Sequence, residues 1–521
     1  MPPKEPVLDG LARFAAEAPA RPAAILAETG ETLDYRSLHE RSARLAQFLA
    51  ARLEAGEVVA ILLGNRLEYF ELTFAARRAG LYYVPISTHL TPGEIDYILR
   101  DSGARILLTE TALRPWAERS AWPAPLEAVL CIDADDPIEG AASYRALVAD
   151  DGAVPPLPDR PLGLDFAYSS GTTGRPKGIK HKLEDQQLRK ALAGDWLSFF
   201  AFDPASVYLS PAPLYHAAPL RFSVRCVAFG GTVVLMRRFD AEGALEAIAR
   251  WRVTHSQWVP TMFIRLLALP AERRAAHDLS SHRLALHAAA PCPLEVKRRM
   301  IDWWGPIVWE YYTGSERAGA TAISAPEWLA HPGSVGRAKQ GVLHIVGDDG
   351  GECAPMVDGL VCFEGGPTFA YHNDPVKTAE THTPQGWGTF GDIGHVDAEG
   401  YLYLTDRRAN MIISGGVNIY PQEAENLLQD HPLVHEVAVI GVPHAEFGEE
   451  VKAVVQLKDP ALADASTAQQ LIDHCRAHLS AIKCPRSVDF ATDLPRTETG
   501  KLLKRVVRDR YRALAAPASQ P

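Results

Sequence analysis

A chain of 521 residues is too long for one simple core and predicts two or more domains, the larger of them compound. Hydrophobic residues make up 47% and charged residues 22%, the proportions of an ordinary globular protein, and a net charge of -11 without a basic block argues against bulk nucleic-acid binding. The start, Met1 to Pro6, lacks the apolar run of a signal peptide, and no later segment is long enough to cross a bilayer, so a cytoplasmic location is expected. The seven cysteines are scattered without metal-ligand spacing and are read as buried apolar residues in a reducing compartment.

The first fifty residues pattern as an amphipathic helix, a short hairpin around Thr29-Gly30-Glu31-Thr32 and a second helix. Apolar strands at 58–63, 82–85, 104–108 and 129–132 then alternate with helices at 68–78 and 92–100, which predicts a parallel sheet covered on both faces. An Asp/Pro-rich linker at 150–159 leads to a strand ending at Tyr168, and then to Tyr168-Ser169-Ser170-Gly171-Thr172-Thr173-Gly174-Arg175-Pro176-Lys177-Gly178. Three glycines, four hydroxyls and a lysine in eleven residues suit a backbone that exposes its N–H groups to a polyphosphate. It is not a Walker A loop, because Pro176 precedes Lys177 and Gly178 follows it. A polar helical run starts near Glu184. A strand beginning at Tyr208 ends in the Pro-rich turn Pro211-Ala212-Pro213-Leu214-Tyr215-His216, and strand and helix follow again at 230–235 and 241–250. Beyond 421 a small α+β unit is expected, with helices at 421–429 and 467–479 and strands at 434–442 and 450–457.

The loop at 168–178 resembles the signature of the adenylate-forming superfamily, which contains acyl-CoA synthetases, peptide-synthetase adenylation domains and luciferases. Further elements resemble that superfamily's motifs in its order: His287-Ala288-Ala289-Ala290-Pro291, Tyr311-Tyr312-Thr313-Gly314-Ser315-Glu316, Gly391-Asp392, Asp406-Arg407-Arg408-Ala409, Gly415-Gly416 and Pro495-Arg496-Thr497-Glu498-Thr499-Gly500-Lys501. The resemblance implies an α/β fold: a large compound N-terminal domain of stacked βαβ sheets plus a β-rich subdomain over residues 1–407, and a small mobile α+β C-terminal domain over 408–521, with a hinge at Arg408-Ala409. It also implies an AMP-forming acyl-CoA synthetase using ATP, Mg2+ and CoA.

In that reading Ser169, Ser170, Gly171, Thr172, Thr173, Gly174 and Lys177 hold the ATP phosphates, and the small residues Ala289, Ala290 and Pro291 let backbone approach the adenine. Tyr311, Tyr312, Thr313, Gly314 and Ser315 continue the nucleotide site, with Tyr312 on the adenine and Ser315 on a phosphate. Glu316 is the magnesium ligand, a hard oxygen for a hard cation. Asp392 accepts from both ribose hydroxyls, and Arg407 reaches the ribose or phosphates. His216, Trp258 and Gly314 line the acyl pocket, Gly415 and Gly416 meet the CoA pantetheine, and Lys501 is the catalytic lysine. Amino-acid-activating members carry an acid just after the aromatic residue where His216-Ala217-Ala218 stand, so an amino acid substrate is disfavoured. The sequence departs from the usual pattern at Ala288, at Gly314, at Phe390 and at Ala409. The implied partners are a small carboxylic acid, ATP and CoA, with no nucleic acid and no transmembrane segment; a homodimer is admissible. The competing readings are an enzyme that loads a carrier protein in trans, a luciferase-like oxygenase, and a non-catalytic nucleotide-binding module. Intact Glu316, Asp392 and Lys501 argue against the last.

Overall fold

The computed structural model describes residues 10–113, 126–133, 142–149, 153–169, 176–183, 199–407, 410–414, 417–444, 447–496 and 502–515. The expected parallel sheet is present: Tyr82–Pro85, Val58–Leu62, Ile106–Thr109, Ala128–Cys131 and Ala142–Ser143 lie side by side in that order, all parallel. Every residue of Val58–Leu62 is buried, as a strand covered on both faces requires. The helix Pro92–Ser102 shows how local sequence sets its ends. Thr91 and Glu94 close a capping box, proline occupies the first turn, and Gly103 leaves the helix at φ +69°.

A second, larger hydrogen-bonded path of 13 strands changes character halfway. From Pro22–Leu26 through Thr232–Leu235, Val207–Ser210, His255–Trp258 and Leu284–His287 to Val308–Thr313 the neighbours are parallel. Val308–Thr313 pairs antiparallel with Ala320–Ser324 on its other side, and the path continues antiparallel through Ser334–Gln340, Leu402–Arg407, Gly388–Val396 and Gly359–Glu364 to Val342–Val346. Val308–Thr313 is therefore the seam between a helix-crossed parallel half and a β-rich half. The turn carrying Gly314, Ser315 and Glu316 leaves the end of that seam strand. A three-stranded sheet joins Phe369–Tyr371, Lys177–His181 and Ala167–Ser169, so two of its strands flank residues 170–176 in the chain.

The C-terminal unit is a sheet between helices. Along Val434–His444, Val437 and Val439 pack with Ala424, Leu428, Leu471 and Cys475 of helices Gln422–Gln429 and Ala465–His478, while Ala438, Ile440 and Val442 face Val507 and Tyr511 of helix Lys504–Ala515. That alternation is the period-two signature of a strand buried on both faces. Asp406 ties this unit to the strand before it, accepting from Asn410 Nδ2 at 3.1 Å and from the Gln422 backbone N–H at 2.9 Å.

Among the described residues, four helices of eight residues or more are absent from the sequence reading. Ala217–Ala228 begins immediately after His216, at the end of the expected Pro-rich turn. Pro219 falls within its first turn, where backbone N–H groups have no intrahelical partner and proline is tolerated. Pro260–Leu267 likewise opens on its proline. Leu294–Trp304 was hidden by Lys297 on its apolar face, and Lys504–Ala515 by its dense basic charge.

Candidate active site

Lys177 opens the strand Lys177–His181, which runs antiparallel to Phe369–Tyr371. That pairing brings the loop after Tyr371 to the lysine. Asp374 caps helix Pro375–Glu380, with Oδ1 accepting from the Lys377 backbone N–H at 2.9 Å, and its Oδ2 holds Lys177 Nζ at 2.9 Å. The Tyr371 hydroxyl donates to Glu316 Oε1 at 2.6 Å, and Lys177 Nζ lies 6.0 Å from the centre of the Tyr371 ring. Lys177, Tyr371 and Glu316 thus form one connected group although they come from three separate segments. A Cβ on Gly314 would stand 2.5 Å from Glu316 Oε2 and 2.5 Å from the Phe390 ring, so the glycine is what lets this carboxylate lie over the turn.

The seam strand divides its two tyrosines between two jobs, because successive side chains of a strand point to opposite faces. Tyr311 is buried in an aromatic cluster with Phe200 and Phe222, its hydroxyl on Gln257. Tyr312 turns to the other face, where its hydroxyl donates to Asp392 Oδ2 at 2.6 Å and its ring meets the edge of Phe390. Asp392 is itself opposite Arg407 in the register of the two neighbouring strands. Thr313 is committed to the fold, donating to the Gly319 carbonyl at 2.7 Å. The turn after Leu284–His287 holds Ala289 at φ +75°, a left-handed conformation that costs an alanine roughly 1–2 kcal/mol. Strain of this kind clusters at ligand-binding turns. Ala289 and Pro291 are exposed there, available to a flat ligand.

His216 stands at the N-terminus of helix Ala217–Ala228, with its ring edge-on to Tyr215 and its Nε2 buried without a hydrogen-bond partner among the described residues. Burial pushes its pKa down to about 4, so the imidazole is neutral at physiological pH. Trp258 is packed into the core against Trp304 and Phe263, with its indole N–H donated to Ser256 Oγ at 2.5 Å. The Ser315 carbonyl accepts from Arg221 Nη2 at 3.2 Å.

Three groups in this region were not legible in the sequence: Tyr371, Asp374 and the buried acid Asp165. Asp165 accepts from Arg221 on Oδ2 at 2.7 Å and from Arg317 on Oδ1 at 2.7 Å, and the two guanidinium groups hold its carboxyl well below the usual range despite burial. Its one signal was a lone charge inside the apolar run Leu162 to Ala167. The Cys292 thiol, just after the Ala289 to Pro291 turn, is pushed up out of the reactive range by burial and the nearby Glu310 carboxylate.

Ser170, Gly171, Thr172, Thr173, Gly174, Arg408, Ala409, Gly415, Gly416 and Lys501 lie outside the described residues, as do the side chains of Ser169 and Arg407. Arg496 and Leu502, flanking the lysine's segment, pair as an antiparallel bridge. Among the described residues no group of three or more His, Cys, Asp or Glu could hold a metal ion alone. Magnesium typically takes one or two carboxylates and completes its shell with phosphate and water. Glu316, with Oε1 engaged by Tyr371 and Oε2 over Gly314, supplies such a carboxylate. Among the described residues no helix is long and apolar enough to cross a membrane.

Residues 11–370 match the family model described as AMP-binding enzyme, and residues 423–501 match that of the AMP-binding enzyme C-terminal domain. The chain is 34% identical over 497 residues to a feruloyl-CoA synthase of an Amycolatopsis species, covering 92% of this chain and 94% of that protein. It is 32% identical over 489 residues to the long-chain-fatty-acid–CoA ligase FadD13 of Mycobacterium tuberculosis, covering 93% and 94%. Among solved structures, ATP-bound MatB from Rhodopseudomonas palustris superposes with a TM-score of 0.84 at 28% identity, covering 98% of this chain and all of that one.

Proposed function

From the premise that the chain belongs to the AMP-binding enzyme family and is an AMP-forming acid–thiol ligase, we propose how its own residues divide the work. The large domain, 1–407, holds ATP and the acid; the small domain, 408–521, carries Lys501 and turns about Arg408-Ala409. The observation that supports this best is the link between Lys177 and Glu316 through Tyr371. It brings a cation and a carboxylate to the same tyrosine.

A carboxylate is a poor acyl donor because oxide would have to leave. One of its oxygens attacks the α-phosphorus of ATP, the bond from that phosphorus to the bridging oxygen breaks, and pyrophosphate departs with the electron pair. The acyl-adenylate that results has AMP as its leaving group. A thiolate, its proton given up to solvent, then attacks the acyl carbon, and AMP leaves. No protein nucleophile is needed, so the protein's task is positioning and charge stabilisation. Lys177 and the hydroxyls of residues 169–173 bind the phosphates, Asp392 orients the ribose beneath Tyr312, and the Ala289 to Pro291 turn takes the adenine. Lys501 bridges carboxylate and α-phosphate as charge gathers between them. When bound, magnesium neutralises phosphate charge, and Glu316 would hold it. The neutral His216 walls the acyl pocket and keeps water from the mixed anhydride. The second step uses the Gly415-Gly416 segment at the pantetheine entrance. We place the enzyme in the cytoplasm, acting on a small carboxylic acid with CoA as acceptor.

The test is pyrophosphate release from ATP across a panel of fatty, aromatic and polar acids, followed by thioester detection with CoA. Lys501→Ala is expected to lower adenylate formation about a hundredfold or more, while thioester formation from supplied acyl-adenylate falls far less. Equal loss of both half-reactions would defeat the two-faced small domain. Absence of AMP with every acid would defeat the assignment.

A further inference from the structure

Where helix Ala217–Ala228 meets helix Glu68–Arg78, arginines outnumber acids. Among the described residues Arg77, Arg221, Arg225 and Arg317 sit in one buried region with a single carboxylate, Asp165, whose two oxygens are already taken by Arg221 and Arg317. Arg225 is 9% exposed. Among the described residues it has no acid partner and donates no hydrogen bond from its side chain; its charged neighbours are Arg77 and Arg317, and the Phe229 ring lies 5.5 Å away. Burial and those like charges push its pKa down to about 9. Helix Glu68–Arg78 and the Arg317 side chain leave further polar groups over. Arg317 Nη1, the Tyr69 hydroxyl and the Thr73 hydroxyl are buried without hydrogen-bond partners among the described residues. Tyr69, Thr73 and Arg77 recur at four-residue spacing, one stripe of their helix.

The cluster adjoins the acyl side of the site. Arg317 directly follows Glu316, Arg221 donates to the Ser315 carbonyl, and the helix bearing Arg221 and Arg225 starts at His216. A cluster serving only the fold would balance its charges, because an uncompensated buried cation is costly. This one is short of an anion. We propose that it is an anion subsite adjoining the acyl side of the site, in which Arg225 and the buried, unpartnered Nη1 of Arg317 receive a second carboxylate, so that the preferred acid is a dicarboxylic acid. The idea rests on the ligase reading above and sharpens it to a substrate class.

The full-length chain should be offered monocarboxylic and dicarboxylic acids of matched length, with pyrophosphate release followed for each. Some diacid is expected to exceed its monoacid by at least about tenfold in kcat/KM, since a site built for a polar group rejects the analogue lacking it. Arg225→Met should cut that ratio by a similar factor, Arg225→Lys should keep part of it, and Arg225→Met should melt at the same or a higher temperature. An unchanged ratio in Arg225→Met, or a preference for monoacids at every length in the parent, overturns the proposal. Calorimetry separates it from the ligase reading. If no acid is turned over, diacid heat present in the parent and lost in Arg225→Met still supports the subsite, and equal or absent heat in both refutes it.

Discussion

Asp374 carries two loads with one carboxylate: it caps the helix that follows and it neutralises Lys177. The Lys377 N–H and the Lys177 ammonium hold its carboxyl below the usual range, so the pair is intact at neutral pH. ATP phosphates would have to draw Lys177 away from it. Asp374→Asn keeps a good cap and removes the competing charge, so KM for ATP should fall by roughly two- to fivefold, the scale of a partly exposed ion pair. Initial rates against ATP concentration check this, and an unchanged or higher KM would refute the competition. Lys177 was legible because a lysine beside glycines and hydroxyls has a meaning of its own. Its partner stands 197 residues away and was not.

Among elements, helix Leu294–Trp304 is joined to the seam strand by a buried pair, Lys297 with Glu310. Lys297 is 1% exposed. Burial pushes the lysine down and the carboxyl up, while each partner opposes that shift in the other. Taking away one partner leaves the other charged and dry, so Lys297→Met should cost about 3–5 kcal/mol of stability. The double variant Lys297→Met with Glu310→Leu should recover most of that, because two packed apolar side chains need no counter-ion. Denaturant unfolding of the single and double variants checks both, and additive losses would refute the coupling. The same pair explains why this helix escaped the sequence reading. Its buried face runs Lys297, Met300, Ile301 and Trp304, and a lysine on that face breaks the apolar period.

At the scale of the whole molecule, five of the described histidines are strongly depressed and titrate in one window. Desolvation depresses His181, His216 and His255 to about 4, His282 to about 3, and His287 further. In the unfolded chain each binds a proton near pH 6.5. Between that value and the folded pKa the unfolded state therefore holds more protons, and stability falls as pH falls. Each histidine contributes up to about 1.4 kcal/mol per pH unit in that window. The melting temperature should be nearly level above pH 7 and drop steeply from pH 6.5 toward 4; a level profile down to pH 5 would refute this. At this scale, too, the division between chain and fold is plain. The sequence by itself determined the alternation of strand and helix, the small C-terminal unit, and the order of the motifs that carry the family resemblance, because each is written in contiguous residues whose spacing reflects local backbone geometry. Tertiary structure alone decided which side chains meet: Tyr312 with Asp392 across 80 positions, Tyr371 with Glu316 across 55, Arg317 with Asp165 across 152. Hydrogen bonds and ion pairs depend on distance in space, and here strand order, not chain order, sets that distance.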